Sequence, residues 1–151
     1  MTNTLKFLLS AHVVLGILGL ACFAAVGLWL LKRELNLSSL KKASLWGLIL
    51  LVASWLTGGY YYATYYGKAV KSVIKAGPYP WAHAVFMEAK EHIFLFLPFL
   101  GIVIGVLLWS RGEALAGPSS LKKQLSILTG ITVGLGIFVT LAGAVVSGAV
   151  R

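Results

Sequence analysis

Long apolar runs alternate with short polar connections along this chain. The four runs are Leu5–Leu31, Ala43–Tyr65, Ile93–Ser110 and Leu121–Val150. Each reaches or approaches the ~20 residues that an α-helix needs to cross a ~30 Å hydrocarbon layer. A soluble domain of 151 residues has no core deep enough to bury four such helices. The pattern therefore predicts an all-α integral membrane protein, folded as an up-down bundle of four transmembrane helices.

The segment between the second and third apolar runs has a different pattern. Over residues 67–77, lysines recur on one side of a helical wheel and apolar residues occupy the other. This predicts a short amphipathic helix lying on the membrane surface, ended by Gly77 and Pro78. Gly117 and Pro118 mark the next break, before the fourth helix. The expected transmembrane helices, within a single domain spanning residues 1–151, cover residues 5–31, 43–65, 81–110 and 121–150.

Composition and charge agree with a membrane protein. Hydrophobic residues make up 59% of the chain and charged residues 11%, with a net charge of +9. The basic residues lie in the connections, where anionic lipid head groups are the nearest partners. Arginines do not form a stripe alongside aromatic residues, so we expect a lipid bilayer as partner and no nucleic acid.

The basic residues also suggest an orientation. Seven of them lie in the first and third connections and five on the opposite side, with Lys90 left aside as partly embedded. Because cytoplasmic connections carry the excess of Lys and Arg, we expect both termini outside, in a prokaryotic inner membrane. All six tyrosines fall toward the outer surface, as in the aromatic belt of a membrane protein.

Ionisable residues cluster near the predicted outer boundary. Counted from the cytoplasmic ends of their helices at 1.5 Å per residue, His12 and His92 lie ~28 and ~27 Å up, at one level. Glu88 and His92 are four residues apart on one helical face, so the carboxylate can accept the ring N–H; Glu91 is offset by about 60°. His83 points to the opposite side, together with Lys90, and is expected at the wet surface.

Two histidines on the first and third helices suit one b-type haem with two axial imidazoles, since these helices are diagonal in a simple bundle. Gly16 and Gly19 continue the face of His12 and leave room for the macrocycle, and Tyr61 lies among the aromatic walls. The layout resembles small four-helix membrane cytochromes of the b type in helix count and paired histidines only. We therefore expect a haem-binding electron carrier that works with a membrane partner, as a homo-oligomer or with another subunit.

Other interpretations stay open. His12 and His92 with Glu88 and Glu91 could bind a single transition metal ion, such as zinc, copper or iron, in a transport-associated protein. The same residues could handle protons or a substrate without metal, or be hydrated polar residues near the boundary. The protein could also be an accessory subunit of a larger membrane complex. Because no Ser-His-Asp, Walker or two-carboxylate arrangement occurs, we expect a carrier or binding subunit rather than a stand-alone enzyme.

Overall fold

The computed structural model describes residues 1–115 and 120–150. Within them the chain is all-helical, with no strand. The α-helices are α1 (Asn3–Leu30), α2 (Leu37–Tyr61), α3 (Lys71–Ala76), α4 (Glu88–Arg111) and α5 (Ser120–Gly148). Wider π-helical segments, Tyr62–Val70 and Ala82–Met87, lead into α3 and α4, and a 3-10 turn, Gly112–Leu115, follows α4. The break predicted at Gly117 and Pro118 lies outside the described residues.

Four continuous helical stretches are long and apolar enough to cross a membrane, as the hydrophobic pattern predicts. They are Asn3–Leu30, Leu37–Ala76, Ala82–Leu115 and Ser120–Gly148. Two of them begin at side chains that satisfy free backbone amides: Thr2 accepts from the N–H of Leu5, and Asn36 from that of Ser39. The all-helical class and the four long helices predicted from the sequence are confirmed.

The segment between the second and third long helices differs from the prediction. We expected a separate helix over residues 67–77, but helical structure runs unbroken from Leu37 to Ala76 and stops at Gly77, whose backbone is extended. The π-helical stretch carries the chain past Gly67 without interruption. Ile74 is fully buried in a cluster with Tyr66 and residues of the other helices, so this segment packs against the protein.

The long helices pack side by side as a helical bundle. α1 packs against α2 and α5, and α4 packs against the same two helices, so that α1 and α4 face each other across the centre. Phe23 of α1 is fully buried at this centre. Its ring occupies the space left by Gly47 of α2 and Gly101 of α4, where a β-carbon would come within 2.9 Å of ring atoms.

Two apolar clusters divide the bundle along its length. The larger surrounds Phe23 and Leu30 and includes Ile104 and Leu125. The smaller surrounds Tyr66 and lies at the opposite end, where helices α3 and α5 meet the π-helical segments. Between the clusters the bundle contains polar side chains and open volume, and the candidate site lies there.

Candidate functional site

The ring of His12 is held by hydrogen bonds to α2. Its Nδ1 lies 2.8 Å from the backbone oxygen of Ser54, and the Ser54 hydroxyl donates to the backbone oxygen of His12 at 2.8 Å. A carbonyl oxygen can only accept, so Nδ1 must carry the proton. In the neutral imidazole the other nitrogen, Nε2, is then a bare acceptor.

Close packing also orients this ring. Gly58 of α2 lies directly against it, and a β-carbon at that position would overlap Nδ1 and Cε1 of His12. On the other side, the ring of Phe94 meets it edge-on, with centroids 5.6 Å apart and planes at 82°. His12 therefore has one well-defined position, set by Gly58, Phe94 and Ser54.

A cavity of about 240 Å³ opens beside His12 between α1, α2, α4 and α5. Two further cavities, of about 220 and 380 Å³, adjoin it, and all three share His12 and Lys90. The first is lined mainly by aliphatic side chains and glycines, with Ser54, Thr140 and Ser147 as its other polar residues. The third is lined by four tyrosines of the second long helix: Tyr61, Tyr62, Tyr65 and Tyr66.

Lys90 brings a positive charge into this space. A β-carbon added at Gly143 of α5 would lie 3.1 Å from Nζ of Lys90, so the amine reaches across to α5. Within residues 1–115 and 120–150 it makes no hydrogen bond and no ion pair. From the sequence we placed Lys90 on the side opposite the site; the structure instead places its side chain in the cavity with His12.

The structure does not bring His92 to His12. His92 is exposed, and its Nδ1 bonds the backbone oxygen of Glu88 at 2.7 Å rather than the carboxylate. Phe94, two residues further along α4, contacts His12, and two residues rotate a helix by about 200°. His92 therefore faces away from the ring with which it was expected to share a haem.

The predicted acidic ligands are also separated. Glu88 is exposed, whereas Glu91 lines the 220 Å³ cavity with His12 and Lys90, and its Oε1 is buried with no hydrogen-bond partner among the described residues. In the described part of the chain, no group of three or more His, Cys, Asp or Glu side chains could hold a metal ion. The expected set of His12, His92, Glu88 and Glu91 does not form one site here.

The two glycines expected to make room for a macrocycle serve different purposes. Gly16 borders the first cavity, and a β-carbon there would lie 3.1 Å from Oγ of Ser54. Gly19 is buried against α2, where a β-carbon would lie 3.1 Å from both the backbone oxygen of Gly47 and the side chain of Leu51. Gly16 thus belongs to the cavity, and Gly19 to helix packing.

His83 was expected at the wet surface, and that prediction is wrong. Its side chain is only 1% exposed, its Nδ1 lies 3.0 Å from the hydroxyl of Tyr66, and its Nε2 is buried with no partner in the part of the chain that the structure describes. The cause is the continuation of the second long helix, which carries Tyr66 over the start of the third. No pattern in the sequence indicated that pairing.

Comparisons of the chain with protein-family models, with curated proteins and with solved structures find no match. The chemistry of the cavity therefore carries the functional proposal on its own. Its two defining groups are an acceptor nitrogen on His12 and a cation on Lys90, both in a space whose remaining walls are mostly apolar.

Proposed function

We propose that this protein spans a membrane as a bundle of four helices and binds a small lipid-soluble molecule in the cavity around His12. The polar head of that molecule lies between His12 and Lys90, and its apolar body lies among the aliphatic side chains. The observation that carries the proposal is that both groups line the same cavity and neither Nε2 nor Nζ has a hydrogen-bond partner in the described residues.

Membrane insertion is supported by the outer faces of the helices. Large apolar side chains are exposed along all four, among them Val14, Leu56, Phe99 and Ile131. In water such a continuous apolar surface would cause association, whereas in lipid it is the expected exterior. We place both termini outside, in a prokaryotic inner membrane, on the distribution of basic residues, which puts the cavity in the outer half.

The position of Lys90 supports a ligand rather than a purely structural role. A lysine at the centre of the hydrocarbon layer costs about 2.5–3.5 kcal/mol and one nearer the boundary costs less, and such residues mark binding or transport sites in membrane proteins. The usual compensation is a partner for the charge; Glu91 attracts Lys90 from the adjoining 220 Å³ cavity, but within residues 1–115 and 120–150 no carboxylate forms an ion pair with it. A ligand that accepts hydrogen bonds from the amine would supply that partner.

The border of the cavity supports entry from lipid. Val13 and Ile17 of α1, and Thr140 and Ala144 of α5, line the cavity and are exposed on the outside of the bundle. The cavity therefore opens sideways between α1 and α5. A molecule dissolved in the bilayer could reach His12 without crossing water.

The haem and metal interpretations meet this geometry in part: of the residues expected from the sequence, His12, Gly16, Tyr61 and Glu91 border the three adjoining cavities, whereas His92 and Glu88 are exposed. Nε2 of His12 has the orientation of a ligand nitrogen, because its Nδ1 bonds a carbonyl as metal-binding histidines do. The second ligand expected from the sequence, His92, faces the opposite way. We therefore propose a ligand without a metal and treat haem as an outcome of the experiment.

The experiment compares purified wild-type protein with Lys90→Met, His12→Phe and His92→Leu variants. Lipid-soluble molecules are extracted from each preparation and measured by mass spectrometry, with an absorption spectrum and elemental analysis of the same samples. The proposal expects a co-purified molecule in the wild type and in His92→Leu, and its loss from the other two variants. Equal amounts of the co-purified molecule in the wild type and all three variants would contradict the proposal. A Soret band lost in His92→Leu would instead support the two-histidine haem.

A further inference from the structure

The hydrogen-bonding capacity of the two polar groups defines the class of ligand. Resting on the proposed function, we infer that the cavity takes a long-chain carboxylic acid, whose carboxyl group bridges Nε2 of His12 and Nζ of Lys90. The acid enters from the bilayer between α1 and α5; the part of its alkyl chain nearest the carboxyl group lies in the aliphatic part of the 240 Å³ cavity, and the rest extends into the lipid.

His12 requires a ligand that donates a hydrogen bond. Since Nδ1 uses its proton on the backbone oxygen of Ser54, the neutral ring offers the cavity only the lone pair of Nε2. The Ser54 hydroxyl cannot change this, because it already donates to the backbone oxygen of His12. A head group that only accepts hydrogen bonds, such as an ester or a quinone, would face that lone pair without a bond.

Lys90 requires a ligand that accepts a hydrogen bond. Its ammonium group has three donors and no acceptor, and it repels a cationic head. A carboxyl group meets both requirements with two oxygens on one carbon: the hydroxyl donates to Nε2, and the carbonyl oxygen accepts from Nζ. An alcohol satisfies the two together less well, because a single oxygen must then serve both nitrogens.

The proton balance of this bridge is simple. The O–H bond of the acid breaks as an N–H bond forms at Nε2, which leaves a carboxylate between an imidazolium and an ammonium; no electron moves and no further reactant is needed. With the protonation of Glu91 and Tyr62, which border the adjoining 220 Å³ cavity, unchanged, the complex holds one proton more than the separate carboxylate, neutral His12 and charged Lys90, whether that proton stays on oxygen or moves to nitrogen. A carboxylic acid is ionised in water at neutral pH, so binding takes up about one proton.

The shape of the cavity suits a single chain. From the level of His12 its walls extend to Leu20 on α1, eight residues or ~12 Å deeper into the membrane. Gly16 and Gly136 form part of these walls on α1 and α5. The head therefore lies near the outer boundary and the tail points to the bilayer centre, the orientation that the acid already has in the outer leaflet.

The test measures binding of radiolabelled palmitic acid to the full-length protein in nanodiscs of zwitterionic lipid. We expect methyl palmitate and hexadecylamine to compete at least about tenfold less well than unlabelled palmitic acid, since each loses one of the two hydrogen-bonded contacts. This comparison uses wild-type protein throughout, so folding is not a variable. Lys90→Met and His12→Phe are expected to weaken binding by a similar factor, and the outward-facing His92→Leu to leave it unchanged.

Calorimetry in buffers of different ionisation enthalpy measures the proton uptake, expected to be about one per acid bound at neutral pH. Competition by the methyl ester equal to that of the acid, or binding without proton uptake, would overturn the inference. If a neutral molecule such as a hydroquinone binds at His12 and palmitic acid does not, the carboxylic acid is excluded while the proposed function stands. If no lipid-soluble molecule requires His12 or Lys90 for binding, both the inference and the proposed function are refuted.

Discussion

Gly58 and Gly59 are adjacent residues of α2 that provide a matched test of how His12 is held. A β-carbon at Gly58 would overlap the His12 ring, whereas one at Gly59 has no atom within 4 Å. Gly58→Ala should therefore displace the ring, and Gly59→Ala should not. Both variants gain the same helix propensity, about 1 kcal/mol for Gly to Ala, so this gain cancels when they are compared.

The expected difference follows from what the displaced ring loses. Overpacking at a well-packed position costs about 1–3 kcal/mol. The hydrogen bond from Nδ1 of His12 to the backbone oxygen of Ser54, 2.8 Å long, contributes a further ~0.5–1.5 kcal/mol. We therefore expect Gly58→Ala to be less stable than Gly59→Ala by about 2–4 kcal/mol, and its ligand binding to be weakened as well, because Nε2 leaves its position.

The assay is reversible unfolding of both variants in mixed micelles, together with nitrogen-15 NMR of labelled histidine. In ligand-free Gly59→Ala and ligand-free wild type, His12 should give the spectrum of a ring protonated at Nδ1 alone; in ligand-free Gly58→Ala that signal should be lost or averaged. Equal unfolding free energies for the two alanine variants, with an unchanged His12 spectrum, would refute the placement of the ring against Gly58.

Two further predictions concern the rest of the bundle. Gly101→Ala should destabilise the protein by about 1–3 kcal/mol, because a β-carbon there would lie 2.9 Å from Cζ of Phe23; thermal unfolding in detergent measures this. Tyr66→Phe should cost about 1–3 kcal/mol, because it removes the hydroxyl 3.0 Å from Nδ1 of His83 and leaves both ring nitrogens buried without partners; the same unfolding assay applies.

Each of these predictions has a control on the same helix. Gly105→Ala, four residues along α4, meets no atom within 4 Å and should leave stability unchanged or slightly higher. Tyr65→Phe removes the hydroxyl of a half-buried neighbour that makes no hydrogen bond within the described residues, and should have little effect. If Gly101→Ala is as stable as Gly105→Ala, the central position of Phe23 is wrong. If Tyr65→Phe and Tyr66→Phe lose the same free energy of unfolding, the buried hydrogen bond between Tyr66 and His83 is contradicted.

The sequence was sufficient for the four long apolar helices. A run such as Leu5–Leu31 predicts a long apolar helix because length and composition are local properties, and the structure places that helix at Asn3–Leu30. Counting residues puts His12 about a third of the way along its helix for the same reason. The helix over residues 67–77 was wrongly predicted to be separate, since helical structure continues unbroken from Leu37 to Ala76 and a local pattern of lysines and apolar residues cannot show this.

Which residues face one another was decided by the tertiary structure alone. A rotation of about 100° per residue gives relative directions within one regular helix, but not the direction toward a neighbour, so His92 was assigned to the centre although it points outward. The π-helical segment Ala82–Met87 changes the rotation per residue at the start of the third long helix; His83 lies within it and Lys90 follows it. His12 was identified from sequence, while its partners Ser54 and Lys90 were not, because contacts between helices depend on how neighbouring side chains pack.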